Sequence, residues 1–496
     1  MTVLEPIPIE PSTVSGLKVA DVVTTLEDDS DTTFSNWAGN QSCTPEHIYY
    51  PETLDDIKRY VLQANSEGAN LRCVGLGHSW SSTAITDGYL LNMTKMEKVH
   101  DPVYSDKEKS WTVEVETGVL VNDLDDALSR HNPPLALPSN VVLESHGAAT
   151  KTRTLPDLVS QVTIVDATGT LNTFSHDKNP EEFSAATVNL GLLGVVYTYT
   201  LRVELDNYRL QTSDTFPLLI DTLSVPDVHG PLLKQMVTTN DQTEIFYWPF
   251  NTPGLDSKND AIWVKQWQRT ELSPTVSPKK EWFHELLQKL ETRFGDKLYE
   301  VMPRHPELTP FLSCLMFDMA KDVDRDEVLE IRNAIHYQQG IDNIPCLDME
   351  MGFKCDENFG NVVRAWNYVI DQLYEYANRN EFPFNLTLEM RFVKASSQMS
   401  NAFDTDPEAI YCMMEILSVT NTKGFEAFSA NIALYWMKEF NAKPHWAKMW
   451  EHIPNIKPYL VKQVGDRFKS FEVVRQKYDP TDMFMNKTFS GLVGPT

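Results

Sequence analysis

The chain has 496 residues, with 43 lysines and arginines against 70 aspartates and glutamates, so its formal net charge is −27 at pH 7. This negative charge argues against nucleic acid and against an anionic membrane surface as partners. Hydrophobic residues make up 42% of the chain, enough for large cores, and the length predicts two domains. The six cysteines are scattered without a Cys-Xaa-Xaa-Cys pair, which is typical of a reducing compartment and not of a disulfide framework or a zinc site.

Residues 1–33 form an acidic leading segment that contains prolines at positions 6, 8 and 11. It has neither a basic start followed by an apolar run nor an arginine-rich amphipathic stretch, so we expect no signal peptide and no transit peptide. No apolar run reaches the length of a membrane span. We therefore expect a protein of the cytoplasm, or one that is peripherally associated with a mitochondrial membrane.

A helix and a strand lead into the first glycine turn. The helix is predicted to start after Thr53 and to end at Gly68, because the apolar residues between them repeat at helical spacing, namely Leu54, Ile57, Val61 and Ala64. The strand from Leu71 then breaks at a short motif, Val74-Gly75-Leu76-Gly77-His78-Ser79. Its glycines allow a sharp turn and expose backbone amides to an anion or a ring. Such a motif alone also fits a strand-end turn with a surface histidine, and it lacks the third glycine of the dinucleotide fingerprint.

The rest of the first half alternates strands and helices. Trp111, Val113 and Val115 predict a half-buried strand, and leucines at positions 120, 124 and 128 predict a second helix. Residues 162–165 and 171–174 flank Asp166-Ala167-Thr168-Gly169 and predict a hairpin. Gly194 and Val195 lead into a strand that runs to Leu205, and we place a domain boundary near residue 206.

The second half contains one strand with a carboxylate and a guanidinium on the same face. Residues 244–250 and 261–264 predict aromatic strands, and 278–301 and 359–380 predict helices. In the strand predicted for residues 385–393, period two places Glu389 and Arg391 on one face and Leu388, Met390 and Phe392 on the other. The pair fits a polar floor that binds adjacent hydroxyls, but without further context a surface ion pair is the commoner arrangement.

A second polar motif, His445-Trp446-Ala447-Lys448, lies near the end of the chain. Its lysine fits either a functional cation or a solvated lysine beside aromatic residues.

Taken in this order, the motifs resemble the vanillyl-alcohol-oxidase type of FAD enzymes with a PCMH-type FAD domain, in the branch of sugar-1,4-lactone and alditol oxidases. The segment Phe34-Ser35-Asn36-Trp37-Ala38-Gly39-Asn40 and the tail over residues 471–486 are similar to the same family. The resemblance implies that His78 carries FAD covalently through the 8α-methyl group. It also implies FAD-binding roles for a set of further positions: Val74, Gly75, Leu76, Gly77, Ser79, Ser145, His146, Gly147, Gly194 and Val195.

One segment departs from the family pattern. The family normally has a Gly-Gly pair and a Thr-Gly before the Ser/Thr-His-Gly, and here Leu143 and Glu144 run directly into Ser145. Glycines permit backbone amides to approach phosphate, and Glu144 adds negative charge beside an anionic ligand. We therefore expect weak or substoichiometric FAD loading.

The resemblance implies an α+β fold with two domains, an FAD-binding domain over 34–206 and a substrate or cap domain with a mixed or antiparallel sheet over 207–496. The implied reaction is oxidation of a secondary alcohol on a sugar lactone or polyol by hydride transfer to flavin N5. Glu389 and Arg391 would hold substrate hydroxyls, and Lys448 would stabilise negative charge on the flavin. The expected acceptor is O2, giving H2O2, and no metal is expected. The alternatives are a dehydrogenase with another acceptor and a flavin-poor binding module.

Overall fold

The computed structural model describes residues 33–106, 109–138, 150–151, 154–275, 298–321, 326–335, 345–397, 402 and 404–494. The predicted motif Ser145-His146-Gly147, the Leu143-Glu144 junction and most of the helix predicted for 278–301 lie outside these residues. None of the helices described is long and apolar enough to cross a membrane.

The first half of the chain, up to residue 205, contains two main sheets. Its elements are β1 Phe34–Ser35, β2 Ser42–Cys43, β3 His47–Tyr49, α1 Leu54–Glu67, β4 Leu71–Val74, β5 Tyr89–Asn92, β6 Val103–Ser105, β7 Ser110–Glu116, α2 Val121–Arg130, β8 Leu135–Ala136, α3 Leu155–Leu158, β9 Val159–Val165, β10 Leu171–Ser175, α4 Pro180–Thr187 and β11 Val195–Leu205. Strands β3, β5 and β4 form a parallel three-stranded sheet in that order. An antiparallel sheet has the order β10-β9-β11-β7-β6, with β8 paired to β11.

The second half forms one eight-stranded sheet. Its elements are β12 Arg209–Thr215, α5 Leu219–Leu223, α6 Pro226–Thr239, β13 Gln242–Tyr247, β14 Trp263–Thr270, α7 Leu298–Arg304, α8 Thr309–Ala320, β15 Val328–Glu330, α9 Ile331–Ile335, β16 Cys346–Lys354, α10 Gly360–Ala377, β17 Leu388–Lys394, β18 Ile410–Val419, α11 Phe425–Phe440, β19 Lys443–Pro444 and α12 Ile456–Tyr478. The antiparallel strand order is β15-β12-β14-β13-β17-β18-β16-β19. The predicted α+β class is therefore confirmed, while the boundary near residue 206 stays a prediction.

Local chemistry explains the helix before the glycine turn. The Thr53 side chain accepts a hydrogen bond from the Asp56 amide, and the Asp56 side chain binds the Thr53 amide in return, which is a capping box. Gly68 closes the helix at φ 67°, a left-handed conformation that glycine adopts without strain. The buried side chains of Ile57 and Val61 pack in a core with β4 and β5. This helix therefore fixes the strand from which the glycine turn leaves.

Three predicted strands differ from the observed ones in their ends. The predicted strand 244–250 ends at Tyr247, and Phe250 has φ 63° in the turn that follows. The strand predicted for 261–264 begins at Trp263 and continues to Thr270, because its polar residues pair with β12. The strand predicted from Asn385 begins at Leu388, since the Asn385 side chain instead accepts hydrogen bonds from the Ser418 hydroxyl and the Val419 amide.

The end of the chain packs back onto the first half. Tyr478 lies in the core beneath the antiparallel sheet of the first half, and Met483 and Phe484 lie in the core around α1. The Met483 carbonyl accepts a hydrogen bond from the Leu71 amide at 2.9 Å. Because Leu71 begins β4, the tail supports the strand that leads to His78.

Candidate active site

The His78 loop is anchored by the turn between β1 and β2. The Trp37 amide donates to the Gly77 carbonyl at 2.9 Å, and the Asn36 side-chain amide donates to the Ser79 carbonyl at 2.9 Å. Gly77 has φ 75°, so the turn needs glycine at this position. The Trp37 ring stacks on the His78 imidazole, with ring centroids 4.9 Å apart and an angle of 21° between the planes. The imidazole is thus held at a defined place, half-buried.

Two adjoining cavities lie beside this loop. One of about 300 Å³ is lined by the whole predicted motif from Val74 to Ser79, His78 included. The other, of about 540 Å³, is lined by Gly194 and by apolar residues of β7, β11 and α2. The cavities share lining residues, among them Val74, Gly75 and Ser79. Their volumes lie within the size range of cofactor sites.

At Gly75 the lining leaves the backbone open to a ligand such as FAD. A Cβ added at Gly75 would meet no atom within 4 Å, so this glycine faces open space where a ligand can approach the main chain. Gly194 has a different reason: a Cβ there would come within 2.4 Å of the Val165 carbonyl oxygen, so the glycine allows β9 and β11 to meet. Val195 is fully buried in the core around α1 and does not line either cavity.

Arg72 lines the larger cavity and was not among the residues predicted from the sequence. Its buried guanidinium donates to four backbone carbonyls, those of Thr83, Leu190, Gly191 and Phe484, at 2.6 to 2.9 Å. Burial lowers its pKa to about 10. This side chain joins β4 to the loop after α4 and to the C-terminal tail, and so shapes the larger cavity.

The loop from His445 to Lys448 meets the His78 loop directly. The Ala447 carbonyl accepts from the Trp80 amide at 2.7 Å, and the Trp446 carbonyl accepts from the Ser81 hydroxyl at 2.6 Å. His445 and Ala447 line both cavities. The two motifs that were predicted separately, far apart in sequence, therefore form one wall.

Glu389, Arg391 and Lys448 belong to one buried network. Arg391 Nη2 bonds Glu415 Oε2 and lies 3.4 Å from Glu389 Oε2. Lys448 Nζ bonds Asp348 and lies 2.5 Å from Glu415 Oε1. The side chains of Arg391 and Lys448 are 7% and 1% exposed. The two alternatives considered for these residues, a surface ion pair for Glu389 and Arg391 and a solvated lysine at position 448, are wrong because the side chains are buried.

Strand register explains the network. Glu389 lies opposite Glu415, which lies opposite Glu350, and Arg391 lies opposite Glu244. Directly opposed residues share a face of the sheet, so the acids collect on one face, and alternation sends their neighbours to the other. That other face packs against α10 and α11 through a set of apolar residues: Met349, Met351, Leu388, Met390, Met414 and Ile416.

Burial and neighbouring charges shift the pKa values of the two opposed glutamates, Glu389 and Glu415, in opposite directions. Burial first, and then the charge of Glu415, raises the pKa of Glu389 to about 7. Burial also acts to raise the pKa of Glu415, but the charges of Arg391 and Lys448 outweigh it and lower that pKa well below its ordinary value. Glu415 is therefore the carboxylate that holds a full charge at neutral pH, whereas Glu389 is poised to exchange a proton.

Trp80 connects this network with the His78 loop. Lys448 Nζ lies 4.3 Å from the centre of the Trp80 ring, and the Trp80 indole donates to the Cys346 carbonyl at 2.6 Å. The same ring packs edge-on against Trp37, which stacks on His78. Neither cavity is lined by Glu389, Arg391 or Lys448. Of the predicted residues that the structure describes, the His78 loop, Gly194, Glu389, Arg391 and Lys448 therefore lie in one region, with Trp80 between the cavities and the buried charges.

Within the described part of the chain, no group of three or more His, Cys, Asp or Glu is arranged to hold a metal ion. Three acids of the sheet face, Asp348, Glu389 and Glu415, contact basic side chains instead.

Comparisons with known proteins cover both halves. A family described as FAD binding domain matches residues 45–175, and one described as D-arabinono-1,4-lactone oxidase matches residues 231–491. The chain is 27% identical to an L-gulonolactone oxidase of Mus musculus, over 91% of this chain and 96% of that protein. It is 24% identical to an L-gulono-1,4-lactone dehydrogenase of Mycobacterium tuberculosis, over 93% and 99%. The fold is similar to a cholesterol oxidase from B. sterolicum, with a TM-score of 0.76 at 15% identity, covering 93% and 97%.

Proposed function

Because this chain belongs to the D-arabinono-1,4-lactone oxidase family of FAD-dependent oxidoreductases, we propose that it oxidises a secondary alcohol on a sugar lactone or a polyol. The observation that carries the proposal is the buried network of Glu389, Arg391, Glu415 and Lys448, which Trp80 joins to the His78 loop. A preorganised set of donors and acceptors on a rigid sheet suits recognition of adjacent hydroxyls.

We propose that FAD occupies the two adjoining cavities and is attached covalently to His78. FAD, when bound, supplies the hydride acceptor, its N5 atom. The support is the rigid placement of the imidazole against Trp37 at the cavity wall and the open backbone at Gly75. The remaining predicted FAD contacts, Ser145, His146 and Gly147, stay predictions.

In this proposal Glu389 and Arg391 bind the substrate. The Arg391 guanidinium donates to hydroxyl oxygens and favours the negative charge that builds on the reacting oxygen as a ketone forms. The Glu389 carboxyl accepts from a hydroxyl. The charge of Lys448, fixed by Asp348 and Glu415, favours electron density added to the cofactor.

We propose O2 as the electron acceptor, with H2O2 as the product. A dehydrogenase that uses another acceptor is the second candidate, because relatives named as oxidases and relatives named as dehydrogenases both match nearly the whole chain.

A screen of the flavin-loaded protein against sugar lactones and polyols tests the proposal. We expect H2O2 release with at least one of them, about 10²-fold slower or more in Glu389→Gln and unchanged in Glu408→Gln. Glu408 is a suitable control because its side chain is 75% exposed and pairs only with Lys394 at the surface among the contacts described. Reduction of an artificial dye without H2O2 identifies a dehydrogenase. Bound flavin that no lactone or polyol reduces contradicts the proposal.

A further inference from the structure

Glu415 is the centre of the buried network. Its two carboxylate oxygens hold different cations, since Oε2 bonds Arg391 and Oε1 lies 2.5 Å from Lys448 Nζ. Its side chain is 3% exposed. Glu389 makes a longer contact with Arg391, with 3.4 Å between Glu389 Oε2 and Arg391 Nη2. The other Glu389 oxygen accepts a hydrogen bond from the Thr387 hydroxyl at 2.6 Å. The positive charge of Arg391 is therefore committed mainly to Glu415.

This division of contacts matters for the proposed reaction. Oxidation of a secondary alcohol to a ketone removes a hydride from carbon and a proton from oxygen, so the hydroxyl proton needs an acceptor. A carboxylate tied to two cations is a weak base, whereas a carboxyl held by one long contact and a hydroxyl keeps its basicity. Glu389 and Glu415 are directly opposite on β17 and β18, so the negative charge of one acts on the other across a single strand spacing.

Resting on the proposed function, we propose that Glu415 is a positioning residue. Glu415 pairs with the cations of Arg391 and Lys448. Glu389 is then the carboxylate that accepts the hydroxyl proton of the substrate. The O–H bond of the alcohol breaks and a new O–H bond forms on Glu389. The electron pair of the broken O–H bond forms the second C–O bond of the ketone as the hydride leaves carbon, and the FAD of the proposed function would accept that hydride.

Other ionisable groups also face Glu389. They come from its own strand, from the strands on either side and from the loop after β19: Glu244, Asp348, Glu350, Arg391, Glu415 and Lys448. The Cys346 thiol at the start of β16 is also near, and burial raises its pKa well above the ordinary value, so it stays neutral. Among these groups of the described chain, only Glu415 combines a position directly opposite Glu389 with bonds to both cations, so its removal changes the partner of Arg391.

The decisive variant is Glu415→Gln. When Glu415 is replaced by a neutral residue, its negative charge no longer offsets the positive charges of Arg391 and Lys448 at Glu389. A cation within 4–6 Å lowers the pKa of a carboxyl group by about 1–3, so we expect the pKa of Glu389 to fall. We expect the acid limb of the pH profile of kcat/KM to move to lower pH by about one unit or more. Asp348→Asn is the matched control, because Asp348 also bonds Lys448 but lies opposite Leu417. It should move the limb by less.

A second readout does not depend on turnover. Infrared titration of the flavin-loaded protein should show a protonated carboxyl stretch that disappears near neutral pH, is absent in Glu389→Gln and titrates at lower pH in Glu415→Gln. The proposal is overturned if Glu415→Gln leaves both readouts unchanged, or if Asp348→Asn shifts them equally. If Glu415→Gln does not fold, the infrared comparison of the wild type with Glu389→Gln decides. A protonated carboxyl band that persists in Glu389→Gln would assign the proton to another acid and overturn the proposal.

This test separates two failures. A protein that oxidises no lactone or polyol contradicts the proposed function, yet the infrared titration still reports which glutamate holds the proton.

Discussion

Replacing Lys448 by methionine should strongly destabilise the second half of the chain at neutral pH. The Lys448 ammonium bonds Asp348 and Glu415, whose side chains are 1% and 3% exposed. Methionine is of similar length and removes the charge, leaving two buried carboxylates without this partner. Removing one member of a buried ion pair costs about 3–5 kcal/mol. An additional contact, that of the ammonium with the Trp80 ring, is lost as well.

The pH dependence of this loss has a defined sign. Lys448 helps to lower the pKa of Glu415 below its ordinary value of 4.5. A carboxylate whose pKa is lowered in the folded state contributes stability that is present above the unfolded value and lost as pH falls. The difference between wild type and variant should therefore be full at pH 7 and shrink as the pH falls below about 4.5.

Urea unfolding followed by tryptophan fluorescence measures this effect. Because the chain has several cores, each transition is fitted separately. Lys438→Met is the matched control, since the Lys438 side chain is 80% exposed and pairs with Glu439 at the surface, where such pairs contribute about 0–1 kcal/mol. A free energy of unfolding for Lys448→Met within about 1 kcal/mol of this control at pH 7 would refute the reasoning.

Three further predictions concern the cofactor and the substrate. Denatured wild-type protein should keep in-gel flavin fluorescence and His78→Ala should lose it; release of all flavin on acid precipitation would rule out the covalent bond. Glu389→Gln and Arg391→Lys should keep the flavin spectrum while turnover falls about 10²-fold or more, because a preorganised polar contact is lost; apoprotein or aggregate from both would indicate a purely structural pair. Inserting a Gly-Gly…Thr-Gly run after Leu143 should raise the flavin-to-protein ratio read from absorbance, because glycines let amides approach phosphate and the added length separates it from Glu144; full loading without the insertion would assign phosphate binding to another loop.

Local signals predicted the elements that carry the site. The apolar repeat between Thr53 and Gly68 predicted α1 with its observed ends, and alternation in the strand of Glu389 and Arg391 placed both on one face, as the sheet has them. These features depend on residues a few positions apart, so a single sequence contains all the information needed.

The partners of these residues could not be predicted in the same way. Glu415 lies in a strand of mostly apolar residues, Ile410–Val419, and its role depends on pairing with β17 and on a lysine 33 positions later. Asp348 is 100 positions from Lys448. Alternation of Asp348 and Glu350 with Met349 and Met351 was a usable signal for a polar face. It did not indicate which strand lay opposite, because pairing is a tertiary property.

The central claim is that the buried charges and the cavities beside His78 form one site for oxidising a sugar lactone or polyol. Anaerobic mixing of the flavin-loaded protein with a panel of sugar lactones and polyols tests it most directly, because loss of the oxidised flavin absorbance reports the first half of the reaction whatever the final acceptor is. The account predicts rapid loss of that absorbance with at least one lactone or polyol in the wild type and slowing by about 10²-fold or more in Glu389→Gln. Absorbance that stays unchanged with every lactone and polyol, in protein with bound flavin, would contradict it.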